Sequence, residues 1–333
     1  MLRRFLPRRM ALGLGIAFLL AGCQASSGAE VPPDVRARSF VFPPEAGESP
    51  DFGDLEFRAG FVLASGDARF GGLSGLWIAR GGERLITVSD RGTLWLAEPE
   101  HADDGTLIGL AGWRAVEPGA LPGDPSGRGR DAEALAAAGG DLVIAYEGAH
   151  RLRRVPRHAP AGQAAALPTP PGLDEAHNRG MEALVALQGG ALLAIAEGVR
   201  TPGGDLAAWV IEHDRALPLA YAPTAGFAPT GADRLEDTIY VLERRFSLLE
   251  GLTARVVALD AAEVRHGARL VAREIGVLRP PAISENFEGI AARGAPDGSV
   301  LLYLLSDDNF MPLLRSLLLQ FSVRAAPGAT ARF

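Results

Sequence analysis

Carboxylates recur in this chain at two fixed points of a short cassette. Three copies carry both acids: Glu133-Ala134-Leu135 with Tyr146-Glu147-Gly148, Glu182-Ala183-Leu184 with Ala196-Glu197-Gly198, and Glu288-Gly289-Ile290 with Ser306-Asp307-Asp308. A first copy, from Ser74-Gly75-Leu76 to Ser89-Asp90-Arg91, lacks the leading acid, and a weaker one runs from Gly231-Ala232-Asp233 to Leu242-Glu243-Arg244. Acids gathered at one place repel unless something compensates them. One compensation is a hard divalent cation, for which oxygen-rich clusters suit Ca²⁺. The candidate ligands are Glu133, Glu147, Glu182, Glu197, Glu288 and Asp307. The other is arginine, and Arg91, Arg130, Arg179 and Arg244 each lie near a cassette acid. Arginine pairs with carboxylates bidentately and can also hold an anionic ligand. The same acids could instead brace blade corners by accepting loop N–H groups. Asparagine occurs only three times, as Asn178, Asn286 and Asn309, and each stands beside a cassette. Asn is also a turn residue that tolerates left-handed backbone.

A unit repeated at this period means a solenoid or a propeller. Short apolar runs alternate with Gly, Pro and Asp turns from Leu55 onward, as in Arg84–Ser89, Asp141–Tyr146, Ala191–Ala196, Thr238–Leu242 and Val300–Leu305. Many short strands at even spacing predict an all-β fold, and four-stranded propeller blades fit best. Five cassettes give five blades near 70–117, 129–173, 178–225, 229–279 and 285–323, and a sixth could hide in 99–128 or 248–284. Residues 132–138 have helical propensity, but the cassette and the Gly139-Gly140 turn favour a strand. The last cassette supplies three strands, and the unpaired run Leu55–Leu63 is expected to complete it, closing the ring and removing an open edge. In such a ring the first strand of each blade lines the axis and its neighbour returns to the same end. The cassette acids, Asp90 and Glu243 among them, are therefore expected at one mouth of the axial channel.

The N-terminus reads as an export signal. Arg3, Arg4, Arg8 and Arg9 precede an apolar stretch, Met10–Ala21, that falls short of the ~20 residues of a membrane span. Leu20-Ala21-Gly22-Cys23 resembles a bacterial lipobox, which makes Cys23 the expected site of lipidation and mature N-terminus. Gln24 after the cysteine favours the periplasmic face of the outer membrane, and neither arginine pair has a full twin-arginine motif. The expected organisation is a signal over 1–23, a Pro-rich tether over 24–53, a propeller over 54–324 and a tail over 325–333. Cys23 is the sole cysteine, so no disulfide supports the fold. The signal carries four arginines and no acids, and its removal takes the net charge from −7 to −11. Such a charge excludes nucleic acid as a partner and tolerates cations. Gly72-Leu73-Ser74-Gly75 is not a nucleophile elbow, and no histidine pair has zinc-ligand spacing.

The ordered set Gly75-Leu76 with Ser89-Asp90-Arg91-Gly92, Asp131–Leu135 with Tyr146-Glu147, Asn178–Glu182, Leu242-Glu243-Arg244 and Glu285–Gly289 resembles the phytase-like domain family, "esterase-like activity of phytase". The resemblance spans about 55–323 and implies an exported β-propeller with hydrolase-like chemistry, without implying phytate as substrate. The expected function is metal-assisted hydrolysis of an ester or phosphate ester by a monomer. Glu182, Glu288 and His177 are the expected catalytic residues. Arg91, Arg179, Arg244, Asn178 and Asn286 are expected to bind the substrate. The alternatives are a non-catalytic module binding an envelope ligand or protein, and a sugar-lactone hydrolase using Glu288, Asn178 and Asn286.

Overall fold

The computed structural model describes residues 33–47, 50–119, 131–148, 150–173, 180–224, 226–311 and 313–324, all within one compact unit. Cys23, Arg130, His177, Asn178 and Arg179 lie outside the described residues.

The chain opens with β1 (Val35–Ser39) and β2 (Leu55–Ser65). Blade 1 follows as β3 (Leu73–Ile78), β4 (Leu85–Ser89), β5 (Leu94–His101) and β6 (Leu107–Val116). Blade 2 is β7 (Ala132–Ala138), β8 (Asp141–Tyr146), β9 (Arg151–Pro156) and β10 (Ala165–Leu167). Blade 3 begins as β11 (Met181–Ala186), β12 (Leu192–Arg200), β13 (Leu206–Glu212) and β14 (Arg215–Tyr221). Blade 4 starts with β15 (Ala228–Leu235), β16 (Thr238–Ser247) and β17 (Gly251–Asp260). A short β18 (Arg269–Leu270) then joins blade 3 parallel to β14, before β19 (Arg273–Leu278) completes blade 4. Blade 5 takes β20 (Asn286–Gly294), β21 (Val300–Asp307) and β22 (Ser316–Val323).

β2 pairs with β22, from Leu55↔Val323 to Leu63↔Ser316, so the two ends of the chain close the ring as expected. There are five blades among the described residues, and the 99–128 and 248–284 stretches that left room for a sixth contribute strands to blades 1, 3 and 4. The tether expected over 24–53 is not a tether throughout. β1 pairs with β2 as a fifth strand, and Phe40 and Phe52 are buried. The reason is aromatic: Phe40 and Phe42 pack on Phe57, and Phe52 and Phe57 pack on Phe321. This segment has apolar surface to bury, which a solvated tether lacks.

The second strand of every blade is a continuous buried run, as in Leu142–Tyr146 and Leu301–Asp307. Both of its faces meet a neighbouring blade, so no polar alternation appears. The core is accordingly divided into five apolar clusters, one between each pair of adjacent blades. Residues 132–138 form a strand despite their alanines, because the inner strands crowd the axis and only small residues fit. A Cβ on Gly75 would meet the backbone N of Leu135 at 2.5 Å, and one on Gly231 would meet the Glu288 carbonyl O at 2.7 Å.

Candidate functional site

The inner strands β3, β7, β11, β15 and β20 contact one another in a ring around the axis. Each carries a bulge at the same point. Pairing skips from Ala132 to Ala134, Met181 to Ala183, Pro229 to Gly231, Phe287 to Gly289, and Leu73 to Leu76. The skipped residues are Glu133, Glu182, Thr230, Glu288 and the pair Ser74-Gly75. A bulge re-aims a side chain out of the pleat. Here it sets three carboxylates toward the axis, and small residues follow each one. Glu182 and Glu288 line an axial cavity of about 10 Å³ with Gly75, Thr230 and Gly231, room for roughly one water molecule.

Burial raises the carboxyl of Glu133, and Glu182, Asp131 and Glu288 push it further. Glu182 is raised by burial and by Glu288, Glu197 and Glu147. Glu288 is pushed up to about 7 by burial, with Asp307 and Glu197 adding to it against Arg244 and Asn286. Burial likewise lifts Asp307 to about 7 and Asp90 to about 6. Asp90 Oδ1 is buried with no hydrogen-bond partner among the described residues.

Arg244 is drawn into this cluster. It donates to Asn286 Oδ1 at 2.5 Å and lies 3.4 Å from Glu288 and 3.7 Å from Glu197. Asn286 Nδ2 in turn donates to Glu288 Oε1 at 2.8 Å, which aims the carboxylate. Arg91 is placed differently. It donates to the Ala68 carbonyl and stacks on Phe310, 3.5 Å from the ring centre, at the exposed edge beside Asp90.

Other acids are engaged by backbone. Glu147 accepts from Gly180 N at 2.9 Å and Asp307 from Asn309 N at 2.7 Å. Asp308 accepts from Gly72 N, Phe310 N and Ser316 Oγ, pinning blade 5 to blade 1. Glu147 also belongs to a trio with Asp131 and Glu133 whose ligand atoms lie within 4.8 Å of one another. Asp131 was not among the expected ligands. It precedes the cassette, and nothing in the spacing turns it inward.

Glu243 departs from expectation. It is 1% exposed and lies between blades 3 and 4, accepting from Tyr221 Oη at 2.6 Å and from Arg255 Nε. The reason is position: Glu243 pairs directly with Pro229 on β15 and with Arg255 on β17, so its side chain follows the pleat into the blade interface. A histidine does stand at this rim. His150 is buried, and its ring lies against Gly180 beside Glu147.

The trio and the axial glutamates offer carboxylate oxygens, a donor set that suits Ca²⁺ better than zinc. Burial and mutual repulsion favour the protonated forms of Glu133, Glu182 and Glu288, and a bound cation would displace those protons and stabilise the carboxylates.

No curated protein matches the chain. Among solved structures it is similar to a hypothetical protein from Leishmania major, at 13% identity over 78% of this chain and 86% of that one, TM-score 0.42. It is also similar to the Cps50 (Swd1) β-propeller domain of Myceliophteria thermophila, at 14% identity over 88% and 100%, TM-score 0.41. A third is an endo-arabinase from Bacteroides thetaiotaomicron, at 10% identity over 78% and 95%, TM-score 0.46. The residues that carry the cassettes point to one family. Residues 68–310 match the phytase-like family, "Esterase-like activity of phytase", and the chain belongs to it.

Proposed function

We propose that this protein is an exported, lipid-anchored hydrolase that cleaves an ester or phosphate ester at the acidic mouth with the help of a divalent cation, Ca²⁺ by donor chemistry. The observation that carries this reading is the set of bulges that turns Glu133, Glu182 and Glu288 toward one axis. Asp131, Glu133 and Glu147 would hold the cation on one side of the cluster, with Glu182 and Glu288 completing the charge. A cation bound there supplies Lewis-acid polarisation and a more acidic water. The chain's own groups do the rest. Arg244 neutralises Glu288 and Glu197 and presents positive charge to an anionic group. Glu288, at about 7, is suited to take or give a proton near neutral pH. Asn286 holds the Glu288 carboxylate in place.

The binding-module reading is favoured by the acids that loop amides satisfy, Glu147, Asp307 and Asp308. One experiment separates the two. Purified mature protein is assayed on generic aryl esters and phosphomonoesters, with Ca²⁺ and with chelator, beside a Glu182→Gln/Glu288→Gln variant. Hydrolysis that needs the cation and is lost in the variant is the expected result. A wild type without hydrolysis, whose melting ignores both Ca²⁺ and chelator, would refute the hydrolase reading and leave the binding module.

A further inference from the structure

We propose that the mouth face of the propeller is a lipid-docking surface, in which the blade 4 and blade 5 hairpin tips enter a membrane interface and hold the acidic mouth against it. The inference rests on the anchoring of Cys23 proposed above. It goes beyond that reading by fixing which face meets the lipid.

Two observations converge. First, exposed large apolar side chains concentrate on one face. β16 ends at the mouth, since Arg244 already reaches Asn286 and Glu288 there, and the hairpin to β17 continues past it. Its tip carries Phe246, Leu248 (93% exposed) and Leu249 (98% exposed). β21 also ends at the mouth with Asp307, and the turn after it carries Met311 and Leu313 (87% exposed). Of the eight exposed large apolar residues among the described residues, five lie in these two tips. An open groove of about 750 Å³ beside Leu249 mixes Phe227, Val277, Pro280 and Pro281 with the charged Arg245, Glu250, Glu274 and Arg279, so the apolar surface is confined to the tips themselves. Concentrated exposed apolar surface marks an interaction site. The opposite end differs: Arg80 and Arg234 bind the carbonyls of Ala292 and Ala186 there.

Second, the chain enters the propeller on that same face. Val35 pairs with Ser65, and the adjoining Leu63 pairs with Ser316, which hydrogen-bonds the rim residue Asp308. Eleven residues separate Cys23 from Val35. Fully extended, that length of chain covers at most about 40 Å. A domain of this size is about 50 Å across, so a tether of this reach favours the mouth face over the far face as the one near an acylated Cys23. A lipobox cysteine carries more than one acyl chain, so the anchor by itself holds the protein at the membrane, and the apolar tips decide which face lies against it. The net charge of −11 expected for the mature chain sets the lipid type: zwitterionic headgroups suit it, and anionic lipid should not improve docking.

Acylation consumes the only native thiol, so an introduced cysteine gives a single labelling site. Leu249→Cys, Leu313→Cys and, in the β13–β14 turn on the far side, Asp214→Cys are made in the acylated full chain and labelled with an environment-sensitive dye. Each is mixed with phosphatidylcholine vesicles carrying a nitroxide-labelled lipid. Co-sedimentation in the same samples reports anchoring separately, and hydrolysis is not read. The expected result is quenching at 249 and 313 with none at 214. Sedimentation with all three dyes equally unquenched, or equally quenched, overturns the docking surface and leaves the anchor standing. Dye signals at 249 that rise with protein concentration in the absence of vesicles overturn it in favour of a protein partner or second copy.

Discussion

Glu288→Gln isolates the free energy of holding a carboxylate at the axis. The folded Glu288 carboxyl is raised from 4.5 to about 7, chiefly by burial. A folded carboxyl with a raised pKa binds its proton more tightly than the unfolded chain does. Its favourable share of stability is therefore full below about 4.5 and is lost as pH rises through about 7. At about 1.4 kcal/mol per pH unit across that window, ionisation destabilises the fold by about 3 kcal/mol at pH 8. Glutamine keeps the shape and has no proton to lose. In chelator, the variant should match wild type near pH 4 and exceed it at pH 8 by about 3 kcal/mol. That corresponds to a Tm gain of about 5 °C for a domain of this size. Added Ca²⁺ should reverse the trend, because only wild type keeps the full site. At 100-fold above its Kd the ion stabilises by about 2.7 kcal/mol, so the variant's advantage should shrink to near zero there and invert at higher concentration. The assay is thermal melting at half-unit steps from pH 4 to 8 in chelator, followed by a Ca²⁺ titration at pH 8. Comparing the two proteins cancels the titrating groups that Glu288 does not perturb, while Glu133 and Glu182, which it raises, are relieved in the variant. A Tm difference that stays flat across pH, or a variant less stable than wild type at pH 8 in chelator, would refute the reasoning.

Three further outcomes are expected. His101 is lowered to about 4 by burial and by Arg293, while its Nε2 meets Tyr303 Oη at 2.9 Å; its contribution is present above about 6.5 and lost as pH falls toward 4, so His101→Gln should flatten the acid limb of the wild-type melting profile, and an unchanged slope would argue against it. Deleting residues 24–32 should leave the melt unchanged, deleting 24–50 should lower Tm by removing buried Phe40 at about 3–5 kcal/mol, and deleting 51–65 should abolish cooperative melting because β2 closes the ring; equal melts for all three would contradict the closure. Cys23→Ser should move the protein out of the membrane fraction without changing its Tm, since no disulfide depends on that residue, and continued membrane fractionation would count against the lipid anchor.

Repetition made the architecture legible. Five cassettes at even spacing marked five blades and left room for a sixth, and an orphan strand at one end beside a three-strand blade at the other pointed to the closure. Both follow from local pattern and from the need to pair every edge. The order of the acids along the chain also put Glu133, Glu182 and Glu288 at equivalent points. What the pattern could not carry was the direction of each side chain. A bulge adds one residue to one strand, and that residue becomes visible only when the partner's register is known. The bulges send Glu133, Glu182 and Glu288 inward, whereas Glu243, without one, follows the pleat into a buried pair with Arg255. Asp131 joins Glu133 and Glu147 within blade 2, because the β7–β8 register sets Asp131 beside Glu147 and the bulge frees Glu133 from the pleat. The raised carboxyls of Glu288 and Asp307 arise in the same way, since burial comes from neighbouring blades distant in sequence. Types and spacing of residues were thus determined by the sequence itself. Which acids share one small, buried space was decided by the tertiary structure, because their desolvation and like-charge repulsion exist only once the blades pack around the axis.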